Sequence, residues 1–324
     1  MKAAVIHELG SEDVFRYEDV PDPQIRPRQV LLQIESASVN RGDLFRRDGS
    51  YGGGAAPALP LIVGWDVAGT IIEVGQEVGS REVGQRVVAT LPHGGYAEMA
   101  AVNEAGTVVL PDNVSFDEGA SIPIVFLTSW FALLKVANLQ EGETALIQSA
   151  GSGVGMAGIQ IAKHVGCTVI TTAGSEEKLE RARQLGADHG INYSEADFLH
   201  ETMSISGRAG VDVVLEAVGG EVLTKSIQAL AMGGRAVTVG NTSRTPATVD
   251  PGLMLNRLLT LKGFSLAAQM GSGGVMQELQ GIMDLFGQGK LRTVIDRVFP
   301  LSQAAEAHRH LADRRNFGKV LLRP

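Results

Sequence analysis

The stretch QSAGSGVGMAG, residues 148–158, sets Gly151, Gly153, Gly155 and Gly158 between two apolar runs. Glycine at this density costs backbone entropy in any regular element. The segment therefore reads as a turn that the fold needs at this place. Before it, TALIQ (144–148) reads as a strand. After it, Val154, Ala157, Gly158, Ile161 and Val165 recur at helical spacing. A strand, a glycine turn and a helix in that order aim bare backbone N–H groups at whatever anion sits at the helix N-terminus.

The same alternation continues downstream. CTVITT (167–172) reads as a second strand, followed by a helix with Ser175 as N-cap, Leu179, Ala182 and Leu185 on one side and Gly186 as its stop. VDVVLEAVG (211–219), GGRAVTVG (233–240) and LLTLKGFSL (258–266) read as further strands. Strands that alternate with helices predict a doubly wound parallel sheet covered on both faces. The first 110 residues have a different texture. AAVI, QVLLQIESASV, VAGTIIEVG and RVVATL are apolar or alternating runs, separated by loops such as PDPQIRPRQ and GGGAAPALPL. EGASIPIVFLTSWFALLKVANL reads as helical through its middle. From about Gly287 the tail carries a helix near 302–313 and a closing strand, GKVLLRP. The expected architecture is a discontinuous β-rich domain, 1–122 and 287–324, with an α/β domain, 123–286, inserted.

The formal net charge of −8 gives the chain no global attraction for nucleic acid or an anionic membrane. Cys167 is its one cysteine, so neither an intrachain disulfide nor a cysteine-built metal site can form. The apolar core of MKAAVIHELG is too short for a signal peptide. The uncharged apolar run 121–134 is interrupted by Pro123 and too short to span a bilayer. These features predict a cytoplasmic protein.

In its strand–turn–helix context the glycine loop is expected to cradle the pyrophosphate of a dinucleotide. Gly153, Gly155 and Gly158 match G-x-G-x-x-G formally. A register of Ala150, Ser152 and Gly155 starts nearer the strand end, with Gly153 and Val154 inside it. NAD-binding proteins place a carboxylate at the end of the second strand for the ribose 2′-hydroxyl. Here that region is TTAGSEEK, and Gly174 and Ser175 occupy the place. Ser175, Lys178 one turn on, and Tyr193 after the next strand-like segment can meet a 2′-phosphate. Glu176 and Glu177 are the counterweight, since either can bend back to a ribose. The missing carboxylate predicts NADPH.

ASVNRGD (37–43), GGYAEMAAV (94–102), AGSGVGMAGIQIAKHVG (150–166), KLERARQLGADHGINY (178–193) and the closing FGKVLLRP, in order along the chain, resemble the medium-chain dehydrogenase/reductase superfamily in its zinc-free quinone oxidoreductase branch. The resemblance implies a GroES-like β-rich catalytic domain, a Rossmann domain, an NADPH cofactor and a homodimer. Zinc-dependent relatives have Cys where this chain has Asn40, and Gly-His-Glu where it has Gly64-Trp65-Asp66. No zinc site is expected. His308 and His310 lie on one helix with their rings pointing apart, which is not a ligand pair.

Without a Lewis acid to hold an alkoxide, the feasible chemistry is hydride delivery to a quinone or another α,β-unsaturated carbonyl. Hydrogen-bond donors then stabilise the developing oxyanion. By resemblance, Tyr51 falls where zinc-free enoyl thioester reductases have a proton-donating tyrosine, and Phe45 falls where bacterial quinone reductases have a second one. Asn40 resembles the residue that contacts the nicotinamide ribose and the substrate oxygen. Trp65 either lines the pocket or fills the space of the absent metal, and Asp43 orders the loop. Thr128, Gly240, Asn241, Phe264 and, by resemblance, Lys319 are further candidates on the cofactor side. An enoyl thioester reductase, with Arg41, Arg46 and Arg47 as a basic entrance, is the alternative enzyme. A dinucleotide-binding sensor or structural protein is the alternative of a different class.

Overall fold

The computed structural model describes residues 1–52, 57–270 and 274–324. The segment GGGAAPALPL lies partly outside them. The chain forms two compact units, Met1–Ile124 with Ser272–Pro324, and Val125–Gly271.

The first unit is built on a sheet in the strand order Ile295–Pro300, Lys319–Arg323, Gln29–Val39, Asp66–Val74, Arg86–Thr90 and Thr107–Val109. Met99–Asn103 pairs with Gln29–Val39 as well. The closing strand lies within this sheet, between Ile295–Pro300 and Gln29–Val39. It runs antiparallel to Gln29–Val39, with Val320 opposite Val39 and Leu322 opposite Ala37. That register brings Lys319 to the C-terminal end of the 29–39 strand, where Asn40 begins the next helix. Leu32, Ile71, Val87, Tyr96, Val320 and Leu322 share the core.

The helix Arg41–Asp48 starts at Asn40, whose extended backbone (φ −111°, ψ 157°) makes it the N-cap. A reciprocal pair closes the first turn: the Asn40 N–H donates to the Asp43 carboxylate at 2.8 Å, and the Asp43 N–H donates to the Asn40 carbonyl at 3.0 Å. The helix stops at Gly49, whose φ of +80° suits a residue without a Cβ.

The chain returns to the first unit at 272, ahead of the 287 read from the sequence. The helix Val275–Gly287 accounts for the difference. It buries Val275, Leu279, Ile282, Met283 and Phe286. It also lies against the strand Thr107–Val109. Asn113 Nδ2 donates to the Gly287 carbonyl at 3.0 Å. An apolar stripe on a helix does not say which sheet it will cover.

The second unit is the doubly wound sheet. Its six strands are all parallel, in the order His189–Asn192, Thr168–Ala173, Thr144–Ile147, Val211–Glu216, Leu230–Thr238 and Thr260–Gly263. Numbered along the chain, this is 3-2-1-4-5-6, the Rossmann order. The reversal falls between Thr144–Ile147 and Val211–Glu216, the place where such sheets bind ligands. The helical run after 122 is a helix, Pro123–Trp130, that continues as a π-helical segment, Phe131–Val136. Among the described residues no helix is long and apolar enough to cross a membrane.

Gly69 tests the packing of the first unit. A Cβ there would lie 2.0 Å from the Gln33 carbonyl oxygen, beside a register shift in the 29–39 strand. Gly69→Ala is expected to lower the unfolding free energy by about 2 kcal/mol in urea denaturation. Gly79→Ala, where a Cβ meets nothing within 4 Å, should stay within about 0.5 kcal/mol of the parent.

Candidate active site

In the second unit the glycine turn is anchored to its neighbouring strand before it reaches the helix. The Ala150 N–H donates to the Thr172 carbonyl at 2.9 Å, and the Ser149 N–H donates to Thr172 Oγ1 at 3.2 Å. Thr172 Oγ1 donates in turn to Gln148 Oε1 at 2.5 Å. Ser149 takes a left-handed backbone with φ +62°. The helix Gly153–Val165 then begins with Ser152 as N-cap, its hydroxyl accepting the Gly155 N–H at 2.9 Å. The N–H groups of Gly153 and Val154 have no acceptor among the described residues. Gly155 is the point of closest approach, since a Cβ there would lie 2.2 Å from the Ser149 carbonyl oxygen. Gly158, one turn later, faces Leu215 and Ile147, at 2.7 and 3.2 Å from the same construction. Thr128 is buried next to Ser129, whose hydroxyl donates to the Val154 carbonyl at 2.9 Å.

At the end of the second strand Gly174, Ser175 and Tyr193 come together. A Cβ on Gly174 would lie 2.8 Å from the Tyr193 hydroxyl. Tyr193 is half exposed. Ser175 caps the next helix and Lys178 sits in its first turn. Glu176, one of the two acids that weighed against a phosphate, forms an ion pair with Arg183 at 2.7 Å.

A recess of about 570 Å³ is lined by Thr238, Val239, Gly240, Gly263, Phe264, Ser265, Ala268 and Gln269. Gly240 and Phe264, both sequence candidates, are among its walls, and Phe131 stacks on Phe264 at 5.8 Å. Asn241 sits against Gly219, where a Cβ would fall 2.1 Å from Asn241 Oδ1. The sequence reading missed Glu216, the one acid near the end of VDVVLEAVG. Its buried carboxylate accepts the N–H groups of Val218 (2.5 Å) and Gly219 (2.9 Å) and so holds the turn that carries Gly219. Burial raises its pKa.

The second unit fits a dinucleotide on its own chemistry. Two unpaired N–H groups lie at a helix N-terminus, and side-chain-free positions stand at 155 and 174 where a Cβ would collide.

In the first unit Asn40 joins two buried carboxylates. Its backbone N–H goes to Asp43. Its side-chain Nδ2 donates to Asp66 Oδ1 at 2.8 Å and to Ser38 Oγ at 3.3 Å. Ser38 also donates to Asp66 Oδ1, and the Ile124 N–H donates to Asp66 Oδ2 at 3.2 Å. Lys319 Nζ donates to Asn40 Oδ1 at 2.6 Å. Asn40 therefore has no spare N–H for a substrate oxygen. What remains is one lone pair on Oδ1, which accepts.

A second chain ends on Asp43. The Arg47 guanidinium can only donate, so His308 Nδ1, 3.2 Å away, accepts from it. The His308 proton then lies on Nε2 and is donated to the Tyr96 hydroxyl at 3.1 Å. Tyr96 donates to Asp43 Oδ2 at 3.1 Å. Burial and the nearby Arg47 charge push His308 well below its ordinary range, so it stays neutral. Burial pushes Asp43 up to about 7, against the hydrogen bonds from Asn40 and Tyr96. Asp43 Oδ1 is buried with no partner among the described residues. Burial likewise raises Asp66 and lowers Lys319. The sequence reading did not find the Tyr96–His308 link.

Tyr51 and Trp65 meet edge to face at 5.1 Å, and the Tyr51 N–H donates to the Phe45 carbonyl at 3.0 Å. The Tyr51 hydroxyl makes no hydrogen bond to any described residue, and burial raises its pKa. The basic entrance expected from Arg41, Arg46 and Arg47 does not form as a cluster. Arg47 is buried on Gly10, Glu12 and His308, and Arg41 donates to the Leu311 carbonyl at 2.9 Å. Among the described residues no three of His, Cys, Asp and Glu converge to hold a metal ion. His308 and His310 part as expected, His310 pairing with Asp296 at 2.7 Å.

Two stretches of the chain match known protein families. Residues 26–112 match the alcohol dehydrogenase GroES-like domain and 185–322 the zinc-binding dehydrogenase domain. The chain belongs to the medium-chain dehydrogenase/reductase superfamily of oxidoreductases. Within it, a quinone oxidoreductase of Sus scrofa is 34% identical over 99% of this chain and 97% of its own. A solved NAD-dependent alcohol dehydrogenase is 34% identical with a TM-score of 0.93, each chain covered completely. The Escherichia coli quinone oxidoreductase solved with NADPH is 26% identical with a TM-score of 0.93, again over both whole chains.

The shifted carboxyl of Asp43 gives a pH prediction. A native pKa near 7 exceeds the unfolded value of about 3.9, so the native state binds more protons between those pH values. Stability then falls as pH rises through that window. Asp43→Asn removes the effect. Its unfolding free energy relative to the parent should rise by more than about 1 kcal/mol from pH 5 to pH 8. A pH-independent difference in denaturant titrations would show that Asp43 titrates normally.

Proposed function

We propose that the protein is an NADPH-dependent, zinc-independent reductase of quinones and other α,β-unsaturated carbonyls. The observation that carries this reading is the set of groups around Asn40. An amide, an indole and a carboxylate occupy the places of the metal ligands in zinc-dependent relatives, and Lys319 saturates the amide from the other side. Such a set offers a divalent metal neither thiolate nor imidazole. An acceptor that needs no Lewis acid follows from it.

When bound, the nicotinamide cofactor supplies the hydride. The Gly153 and Val154 N–H groups, oriented by the Ser152 cap, receive the pyrophosphate in the register of Ala150, Ser152 and Gly155. Ser175, Lys178 and Tyr193 receive the 2′-phosphate, with Glu176 drawn away by Arg183. Thr128, Gly240, Asn241 and Phe264 shape the nicotinamide side. Asn40 accepts a ribose hydroxyl through its remaining lone pair, and Lys319 fixes the amide in that orientation. Tyr51 gives a hydrogen bond, and then its proton, to the developing enolate oxygen. Its raised pKa keeps it protonated at neutral pH. Phe45 and Trp65 line the acceptor's apolar side. A homodimer in the cytoplasm is part of this proposal. The enoyl thioester reading loses support because Arg41 and Arg47 are engaged within the chain.

Steady-state assays test the reading. NADPH should exceed NADH at least tenfold in kcat/KM with 1,4-benzoquinone or an enone, and saturated alcohols should not reduce NADP⁺. Lys178→Met should lower kcat/KM for NADPH about tenfold and move the NADH value far less. Equal or better use of NADH contradicts the cofactor assignment. Tyr51→Phe should lower kcat on an enone by about 100-fold, and an unchanged kcat removes Tyr51 as the proton donor.

A further inference from the structure

We propose that Arg46, packed against both Tyr51 and Trp65, is an anion subsite that selects acceptors carrying a carboxylate beside the activated double bond. The inference rests on the reductase reading above and names its substrate class. Gly42 and Arg46 lie one helical turn apart on Arg41–Asp48 and serve one cluster. A Cβ on Gly42 would fall 2.3 Å from Trp65 Cη2, so the glycine is what lets the indole lie against this helix. The Arg46 guanidinium carbon stands 5.3 Å from the Tyr51 ring centroid and 5.7 Å from that of Trp65. Two aromatic rings thus hold a planar cation in one place.

Among the described residues no acceptor takes up the hydrogen-bonding potential of that cation, and its buried Nε has no partner there. The guanidinium makes no ion pair or hydrogen bond with any described residue. Its neighbours differ on this point. Arg41 is tied to the Leu311 carbonyl, and Arg47 to Gly10, Glu12 and His308. The carboxylates behind it are turned inward: Asp43 accepts from Asn40 and Tyr96, and Asp66 from Asn40, Ser38 and Ile124. Five N–H donors in a fixed fork match a carboxylate in two-point fashion. An unpaired arginine packed on Tyr51, the residue proposed to protonate the product, sets the favoured anion close to the reacting group. A carboxylate on the acceptor itself meets that requirement.

The test compares (E)-4-oxopent-2-enoate with its methyl ester, which differ in charge and share the enone. The full-length protein and its Arg46→Gln and Arg46→Lys variants are assayed with saturating NADPH. The variant-to-parent comparison cancels the intrinsic reactivity of the two acceptors. Arg46→Gln should lower the acid-to-ester ratio of kcat/KM tenfold or more, and Arg46→Lys should restore part of it because the charge remains. Lys also controls for loss of fold, which circular dichroism checks in both variants. A ratio changed less than twofold by Arg46→Gln overturns the subsite. So does a loss confined to a third acceptor, crotonyl-CoA, since that places the anion on a thioester carrier. If 1,4-benzoquinone is still reduced while the ratio stays flat, the subsite alone fails. If no acceptor oxidises NADPH, the reductase reading fails and the subsite with it.

Discussion

Asn40 is gripped on every polar atom but one lone pair of its side chain, and the geometry of the first unit depends on that grip. Its backbone N–H holds Asp43, its amide nitrogen holds Asp66, and its amide oxygen is held by Lys319. Lys319 reaches it only because the closing strand pairs with Gln29–Val39 in the observed register. A slip of one residue would turn Val320 and Leu322 out of the core and take the ammonium away from two buried carboxylates.

The two donor chains explain how so many polar groups are tolerated in the interior. Each runs in one direction and ends on a carboxyl oxygen: Lys319 to Asn40 to Asp66, and Arg47 to His308 to Tyr96 to Asp43. Fixed donors at one end remove the ambiguity of the histidine tautomer and the tyrosine rotor. The cost of burial is still visible in Asp43, whose Oδ1 has no partner among the described residues and whose carboxyl is pushed up to about 7. In this unit Asn40, Asp43 and Asp66 are joined in one hydrogen-bonded network.

How much of this was legible depended on how local the signal was. The glycine turn, the Ser175 cap and the alternating strands of the second unit rest on neighbours in sequence, and the Rossmann sheet follows from them. That GKVLLRP closes the chain as a strand was legible from its apolar run. The boundary at 272 was not, because the stripe on Val275–Gly287 does not name the sheet it covers. Tyr96 and His308 are 212 residues apart, and Arg47 and His308 are 261 apart. No spacing rule connects such positions. Arg41, Arg46 and Arg47 read as one basic cluster in sequence, yet Arg47 is buried, Arg41 ends on the Leu311 carbonyl and Arg46 packs on the aromatic pair.

The central claim is that hydride leaves the cofactor for a conjugated acceptor with no metal taking part. Reduction of 1,4-benzoquinone by NADPH, followed before and after exhaustive chelation with bound metal quantified on the same sample, tests this most directly. The account predicts an unchanged rate and no stoichiometric zinc. Activity lost on chelation and restored by zinc would contradict it.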